Sequence, residues 1–467
     1  MSGNKPIQIV DLFAGPGGLG EGFSSMGNRF RILVSAEMEK SAHKTLLLRA
    51  YYRKLKNDNP ALLADYYNYC NGKTESPYSS DTEKYWREAE CEARLITLGC
   101  EEGNKELDGL IQAGLDRSSG WVLIGGPPCQ AYSLVGRARN RGKVGYEAEK
   151  DHRNFLYKEY LRIIAQYRPT VFVMENVKGI LSSKVSGKRI FHDILNDLSS
   201  PQRAVNSLES EENYVICSLT TGDAFHYGDS LEHFDVRKFV IRAEDHGIPQ
   251  ARHRVILLGI KESIYKGFSP LQKDKMMPLS DAISALPSLR SKLSKQLDGQ
   301  DEWYGVMQSH IENLLTSIDS GPEKFHSLSG PLKTIKINIK ENLASGALRY
   351  PTIPSIAKAK TMLDSWYQDK QLDVWLNHES RGHMASDLMR YLFAASFASH
   401  FKQSPKGPDD FALPELRPNH SNWESGKFAD RFRVQLKDRP STTITSHISK
   451  DGHYFIHPDP CLSLIHI

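Results

Sequence analysis

The chain has 467 residues, 39% of them hydrophobic, which is enough for a large core and two expected domains. A formal net charge of +4 is small for this length; it excludes a uniformly basic surface and leaves only a local one for nucleic acid. The six cysteines form no C-x-x-C pair and no Cys/His group at zinc spacing, so a disulfide framework and a metal site are both excluded. No apolar run is of bilayer length and the N-terminus has no apolar signal core, so a cytoplasmic protein with no membrane partner is expected.

In chain order, "IQIVDLF" (7–13) is a β-branched run that ends in glycines, and "FRILVSAE" (30–37) is a second strand followed by a helical stretch over 40–55. Residues 51–120 read as a long polar insertion, in which Trp86, Ala89, Ala93 and Ile96 form one helical packing stripe. Strands are predicted again at 121–126, 170–176, 214–221 and 253–260, with helices at 154–167 and 189–198. Continuous apolar strands alternating with helices predict an α/β fold, a Rossmann-like, doubly wound, mainly parallel sheet covered on both faces. After about residue 265 the alternation stops. The rest is irregular and rich in Ser, Pro, Lys and Asn, with one clear helix at 386–401, and predicts a second, smaller domain.

Ligands of such sheets bind beyond the carboxyl ends of the strands. Asp11, Cys129 and Glu175 all lie at or just past such ends, so the three can line one cleft. The loop "DLFAGPGGLGEGF" (11–23) lets backbone approach a ligand at a helix N-terminus, and Glu37 stands where a carboxylate commonly takes ribose hydroxyls. These two features fit a nucleoside cofactor, or equally a tight turn and a solvated Glu. Cys129 follows the stiff pair Pro127-Pro128 in "GGPPCQAYS", whereas Cys70, Cys91, Cys100 and Cys217 read as small buried hydrophobes. Attack needs the thiolate, so a positive environment is required, and Arg137, Arg139, Arg141 and Lys143 follow nearby. They equally suit phosphates, or a solvated loop. Glu175 emerges from the apolar run 171–174 and is placed to act as a general acid. In "QARHR" (250–254), Arg252 and Arg254 stand two apart and on one strand would share a face, a pair suited to an oxyanion, a carbonyl oxygen or a phosphate.

Together, "DLFAGPGG", "GGPPCQAYS", "MENVKG", "QARHRV" and "RPSTTIT" (439–445) resemble, in order, the motifs of DNA (cytosine-5)-methyltransferases. The resemblance covers about 7–265 and 430–460. It implies a catalytic and cofactor-binding domain over 1–265, a target-recognition domain over 266–430 that reads base edges, and a return segment over 431–460. It implies S-adenosylmethionine as cofactor, held by Phe13, Gly15, Pro16, Gly18, Glu37, Met38, Pro128 and Leu156. Cys129 is then the nucleophile at cytosine C6, Glu175 the group at N3, and Arg254 the group at O2 with Arg252 in support. Gln130, Ser133, Arg137, Arg139 and Arg141 would contact DNA around a flipped base. Double-stranded DNA is the implied partner of a bacterial, monomeric enzyme, with a restriction endonuclease as a functional counterpart. An RNA cytosine-5 methyltransferase and an inactive DNA- or cofactor-binding module are the alternatives.

The end of the chain departs from the resemblance. A final Gly-Asn-x-Val motif is expected after "DGHYFIHPDP" and is not found; the chain reads "CLSLIHI" (461–467) instead. These last seven residues look unlike a natural domain end, and a truncated or misjoined reading frame is the expectation.

Overall fold

The computed structural model describes residues 5–128, 156–185, 188–207, 211–230, 234–352, 363–419, 423, 431–444 and 452–460. They fall into two units. The first comprises 1–69, 73–242 and 253–272, and the second 70–72, 243–252 and 273–467.

The first unit is built on a nine-stranded sheet. Its strands are β1 (Ile7–Leu12), β2 (Phe30–Glu37), β3 (Ala93–Leu95), β4 (Trp121–Gly125), β5 (Val171–Val177), β6 (Tyr214–Ser218), β7 (Ala224–Phe225), β8 (Val240–Arg242) and β9 (His253–Lys261). The order is β3-β2-β1-β4-β5-β9-β6-β7, with β8 paired to β9. The pairs β3-β2, β2-β1, β1-β4 and β4-β5 are parallel. β9 runs antiparallel between β5 and β6, so β6 keeps the direction of β5. All five residues of β4 and of β6 are buried, the pattern of strands covered on both faces.

Each face has its own covering. On one, Leu19 and Phe23 of the short helix Gly18–Ser24 pack on Ile9, Ile32, Val122 and Ile124. On the other, the helix Leu156–Tyr167 buries Tyr160, Leu161, Ile163 and Ile164 against Val10, Leu12, Leu123 and Phe172. Tyr160 also donates its hydroxyl to the carbonyls of Leu123 (3.2 Å) and Val173 (2.9 Å), which ties the helix to β4 and β5.

Two expectations about residues 51–120 are corrected. The segment is no excursion from the sheet, because it carries the edge strand β3, paired in register Ser35 to Ala93 and Glu37 to Leu95. The helical stripe is also cut short. The helix Glu83–Glu92 holds Trp86 and Ala89, but Ala93 begins the strand and the Ile96 amide donates to the Glu37 carbonyl (3.0 Å). A ladder with β2 satisfies these backbone groups, and tertiary pairing overrides local periodicity. Among the cysteines, Cys70 and Cys217 are buried as expected, but Cys91 is exposed. Cys100 is half-buried and caps the helix Glu101–Gly114, its sulfur accepting the Gly103 amide.

The second unit has a helical core. The helices Gln300–Ser320, Ser329–Asn338 and Ala385–Phe401 enclose Trp303, Ile311, Leu314, Ile318, Leu332 and Phe393. The last of them is the predicted helix; the first two occupy part of the stretch read as irregular. Trp303, Met307, Ile311, Leu314 and Ile318 all face inward at helical spacing, a signal masked by the polar residues between them. An antiparallel pair of strands, Gly346–Pro351 with Val374–Glu379, adds a two-stranded sheet to the unit.

Candidate active site

The carboxyl ends of β1, β2, β4 and β5 meet the start of β9, and Asp11, Phe13, Gly15, Glu37, Glu175 and Arg254 lie at these ends. After β1 the chain turns through Phe13 (φ 55°), Gly15 (φ 58°) and Gly17 (φ 95°). Left-handed φ at a phenylalanine is uncommon and marks a loop whose course its surroundings impose. At Gly17 a side chain would be strained, and its Cβ would lie 2.8 Å from Leu46. Pro16 and Gly18 are exposed on the outside of this loop.

Glu37, at the end of β2, holds the loop. Its carboxylate accepts the amides of Gly15 (2.7 Å), Met38 (2.9 Å) and Glu39 (2.7 Å) and is 9% exposed. Two carboxylate oxygens offer about four acceptor positions, so a place remains for one hydroxyl donor. Met38 beside it is 58% exposed, an apolar surface without a cover. Beneath the loop, Asp11 is 1% exposed and neither of its oxygens has a hydrogen-bond partner among the described residues. Ser35, its register partner on β2, has a buried hydroxyl in the same condition. Burial pushes the Asp11 carboxyl up to about 8, opposed by Arg53 and assisted by Glu37 and Glu92. A nucleoside cofactor fits these residues: an acceptor for a hydroxyl, an exposed apolar side chain for a ring, and unsatisfied polar atoms under the loop.

The helix that follows the loop is anchored by charge. Glu21 pairs with Arg49 (2.9 Å) and with Arg53, and Arg53 also reaches Glu92 (2.6 Å), which is 6% exposed. The two arginines outweigh burial and hold the Glu21 carboxyl below its ordinary range. No motif announces this group, because its members are scattered over residues 21–92 in ordinary helical context.

The second half of the site joins the ends of β4 and β5. Gly125 closes β4 so near β1 that a Cβ there would lie 2.5 Å from the Leu12 carbonyl oxygen. A Cβ on Gly126 would come within 3.2 Å of Glu175 Oε2, so this glycine leaves room for that carboxylate. Pro127 is buried, and its carbonyl accepts the side-chain amide of Asn176 (3.1 Å), whose oxygen accepts the Val177 amide (2.8 Å). Asn176 thereby couples "GGPP" to "ENV", a role that no spacing in the sequence marks. Pro128 is the last described residue before Cys129. Cys129, Gln130, Ser133, Arg137, Arg139 and Arg141 lie outside the described residues. Leu156 is buried in the first turn of its helix.

Glu175 lies at the rim of the sheet, its side chain 29% exposed, with Arg254 Nε 2.8 Å from Oε1. The pairing follows from register: Ile256 stands opposite Glu175 and Arg254 opposite Val177 on antiparallel strands. The Arg254 side chain is 19% exposed and also donates to the His253 carbonyl (2.8 Å). The expectation that Arg252 and Arg254 share one strand face is corrected. Arg252 belongs to no strand: its amide turns back to the Gln250 carbonyl (2.8 Å). This three-residue turn separates Gln250–Ala251, which pairs with Ser441–Thr442, from β9 in the main sheet. Arg252 lies in the second unit and Arg254 in the first.

Residues 115–202 and 227–383 match the C-5 cytosine-specific DNA methylases. The chain is 30% identical over 480 residues to the type II methyltransferase M.Bpa9945I of Bacillus paralicheniformis, covering 98% of this chain and 88% of that one. The chain belongs to the C-5 cytosine-specific DNA methylase family. Type II methyltransferase M.AgeI of Thalassovita gelatinovora is 24% identical over 477 residues, covering 97% of this chain and 87% of that one. Type II methyltransferase M.DdeI of Desulfomicrobium norvegicum is 30% identical over 175 residues, 36% of this chain and 33% of that one. Within this methylase, no group of three or more His, Cys, Asp or Glu among the described residues could hold a metal ion. No helix among them is long and apolar enough to cross a membrane.

Proposed function

We propose that this methylase transfers a methyl group from S-adenosylmethionine to C5 of a cytosine flipped out of double-stranded DNA, with Cys129 as nucleophile. The observation that carries the reading is the meeting of two strands and a turn: Glu175 ion-paired to Arg254, beside the glycine-proline turn that leads into Cys129. An acid and a guanidinium so placed, with a cysteine next in the chain after Pro128, meet the chemistry of cytosine, whose C5 is a poor nucleophile.

The Cys129 thiolate forms a bond to C6 and the C5–C6 π pair moves toward C5. Glu175 supplies a proton at N3 as negative charge develops there, and Arg254 holds O2. After methylation, loss of the C5 proton returns the electron pair and breaks the bond from sulfur to C6, and the N3 proton goes back to Glu175, so that the thiolate and neutral 5-methylcytosine are released. When bound, S-adenosylmethionine supplies the electrophilic methyl group. Phe13, Gly15, Pro16, Gly18, Glu37, Met38, Pro128 and Leu156 are the residues proposed to hold it, Glu37 through its remaining acceptor position and Met38 through its exposed side chain.

Base flipping costs a few kcal/mol, which contacts from Gln130, Ser133, Arg137, Arg139 and Arg141 to the displaced strand would offset. Residues 266–430 are the proposed reader of base edges and 431–460 the return segment. The names of the type II relatives support a restriction-modification setting, with a restriction endonuclease of matching specificity as counterpart.

DNA carrying 5-fluorocytosine tests the covalent step, because fluorine cannot leave C5 as a proton does. The expected outcome is a trapped complex in which the crosslinked residue is Cys129, and Cys129→Ser should bind DNA yet neither crosslink nor transfer methyl groups. A crosslink on another cysteine, or near-wild-type turnover by Cys129→Ser, would sink the assignment.

A further inference from the structure

The segment "RPSTTIT" carries the family resemblance without a task of its own, and the hydroxyls of Ser441, Thr442 and Thr443 are all engaged. Ser441 donates its amide (2.9 Å) and its hydroxyl (3.3 Å) to the Pro249 carbonyl. Thr443 donates its hydroxyl to the Ala251 carbonyl (2.8 Å), the peptide group that leads directly into Arg252. Between them, Thr442 is held from the other side by Gln435, whose side-chain oxygen accepts both the Thr442 amide (2.8 Å) and its hydroxyl (3.2 Å). Gln435 is 2% exposed and is itself fastened. Its side-chain amide donates to the Tyr454 carbonyl (2.8 Å) and its backbone amide to the Ile456 carbonyl (3.0 Å). Arg252 is exposed, and its own carbonyl accepts the Ala243 amide (3.2 Å).

Arg252 thus sits at a turn that belongs to no long ladder, and its backbone is set by a relay running from Tyr454 through Gln435, Thr442 and Thr443 to Ala251. We propose that Thr443, backed by Gln435, is a positioning residue that aims Arg252 for methyl transfer. The inference rests on the reading of Arg252 as support for the arginine at cytosine O2. The physical reason is the sensitivity of orientation: a side chain displaced by about 1 Å can cost up to roughly 10²-fold in rate. A guanidinium at the end of a long side chain amplifies any tilt of the peptide group that carries it.

The test compares Thr443→Val, which keeps the shape and deletes the donor, with Thr443→Ser, which keeps the donor. Thr443→Val is expected to lower kcat roughly tenfold with the KM for S-adenosylmethionine unchanged, and Thr443→Ser to regain most of the loss. In an Arg252→Ala background, Thr443→Val should cost nothing further, because the residue it aims is gone. Amide exchange of the peptide 249–254 reads the clamp independently of turnover: it should quicken in Thr443→Val and not in Thr443→Ser. Equal kcat in wild type and Thr443→Val, a full further loss in the Arg252→Ala background, or unchanged exchange would each overturn the proposal. Wild-type protein that transfers no methyl group at all would instead overturn the reading of the site.

Discussion

Asp11 is a carboxyl with no donor among the described residues, 1% exposed, beneath the loop that the cofactor is proposed to cross. The folded protein keeps a proton on it up to a pKa of about 8, against an ordinary 3.8, while the unfolded chain releases that proton above pH of about 4. The folded state therefore binds more protons between those values, and this contribution to stability declines as pH rises from about 4 to 8. Asp11→Asn cannot ionise, so its melting temperature should vary less between pH 5 and pH 8.5 than that of the wild type. Parallel melting curves in the two proteins would show that Asp11 finds a donor in solution. Glu175 makes a different case, since its carboxylate is at the rim and faces Arg254 rather than the core. Glu175→Gln keeps the shape and loses the acid, so methyl transfer should fall by roughly 10² to 10⁴ while the Kd for S-adenosylmethionine holds. Equal losses in rate and cofactor affinity would indicate a role in the cofactor pocket.

Among the elements, the pairing of β4 with β1 sets the course of the chain through Gly125 and Gly126 to Pro128, the residue before Cys129. Gly125 stands opposite Leu12 in the parallel register, and a methyl group there would meet the Leu12 carbonyl oxygen at 2.5 Å and the Tyr160 ring at 3.0 Å. Backbone cannot yield as a flexible side chain does, so Gly125→Ala should destabilise the first unit by roughly 1–3 kcal/mol. Its activity should fall further than its stability, since the strand end would be pushed from β1 just before Pro127 and Pro128. Denaturant unfolding alongside turnover checks both; an unchanged midpoint would mean that the sheet end relaxes freely.

In the molecule as a whole, each unit has its own buried core, one wrapped on a sheet and one built from helices. The second contains a buried polar knot. His383 lies edge-on to Tyr391 (5.5 Å between ring centres), and the Tyr391 hydroxyl meets His453 Nδ1 at 2.5 Å. Burial pushes the His383 imidazole down to about 4, with nearby His453 and Arg381 acting in the same direction and Asp387 against them. The His453 imidazole is pushed down by burial as well. A depressed folded pKa leaves the stability contribution intact above pH of about 6.5 and removes it as pH falls toward 4. The helix Ala385–Phe401 should therefore exchange its amides faster at pH 5 than at pH 7, beyond the intrinsic pH effect. His383→Gln should weaken that dependence. An equal response in both proteins would place the pH sensitivity elsewhere.

The main strands and the ordered motifs were legible in the amino-acid sequence. Continuous runs such as 121–125 and 214–218 admit few other structures, and loops that must approach a ligand closely need glycines and prolines at definite places. The glycine loop with Glu37, and the "GGPP" turn with Glu175, came together as the strand order of such sheets requires. What tertiary structure decided were features that depend on partners distant in the chain. Ala93 is a strand because β2 offers it a ladder, although its own neighbours read as helix. Arg252 leaves the strand because residues 441 and 442 capture the two before it while β5 captures those after it. Asn176, Thr443 and Gln435 take on tasks through hydrogen bonds to segments 7 to 192 residues away, and no local pattern encodes such a bond. Periodicity records which face a residue shows to the core; the partner waiting on that face is set only when the chain has folded.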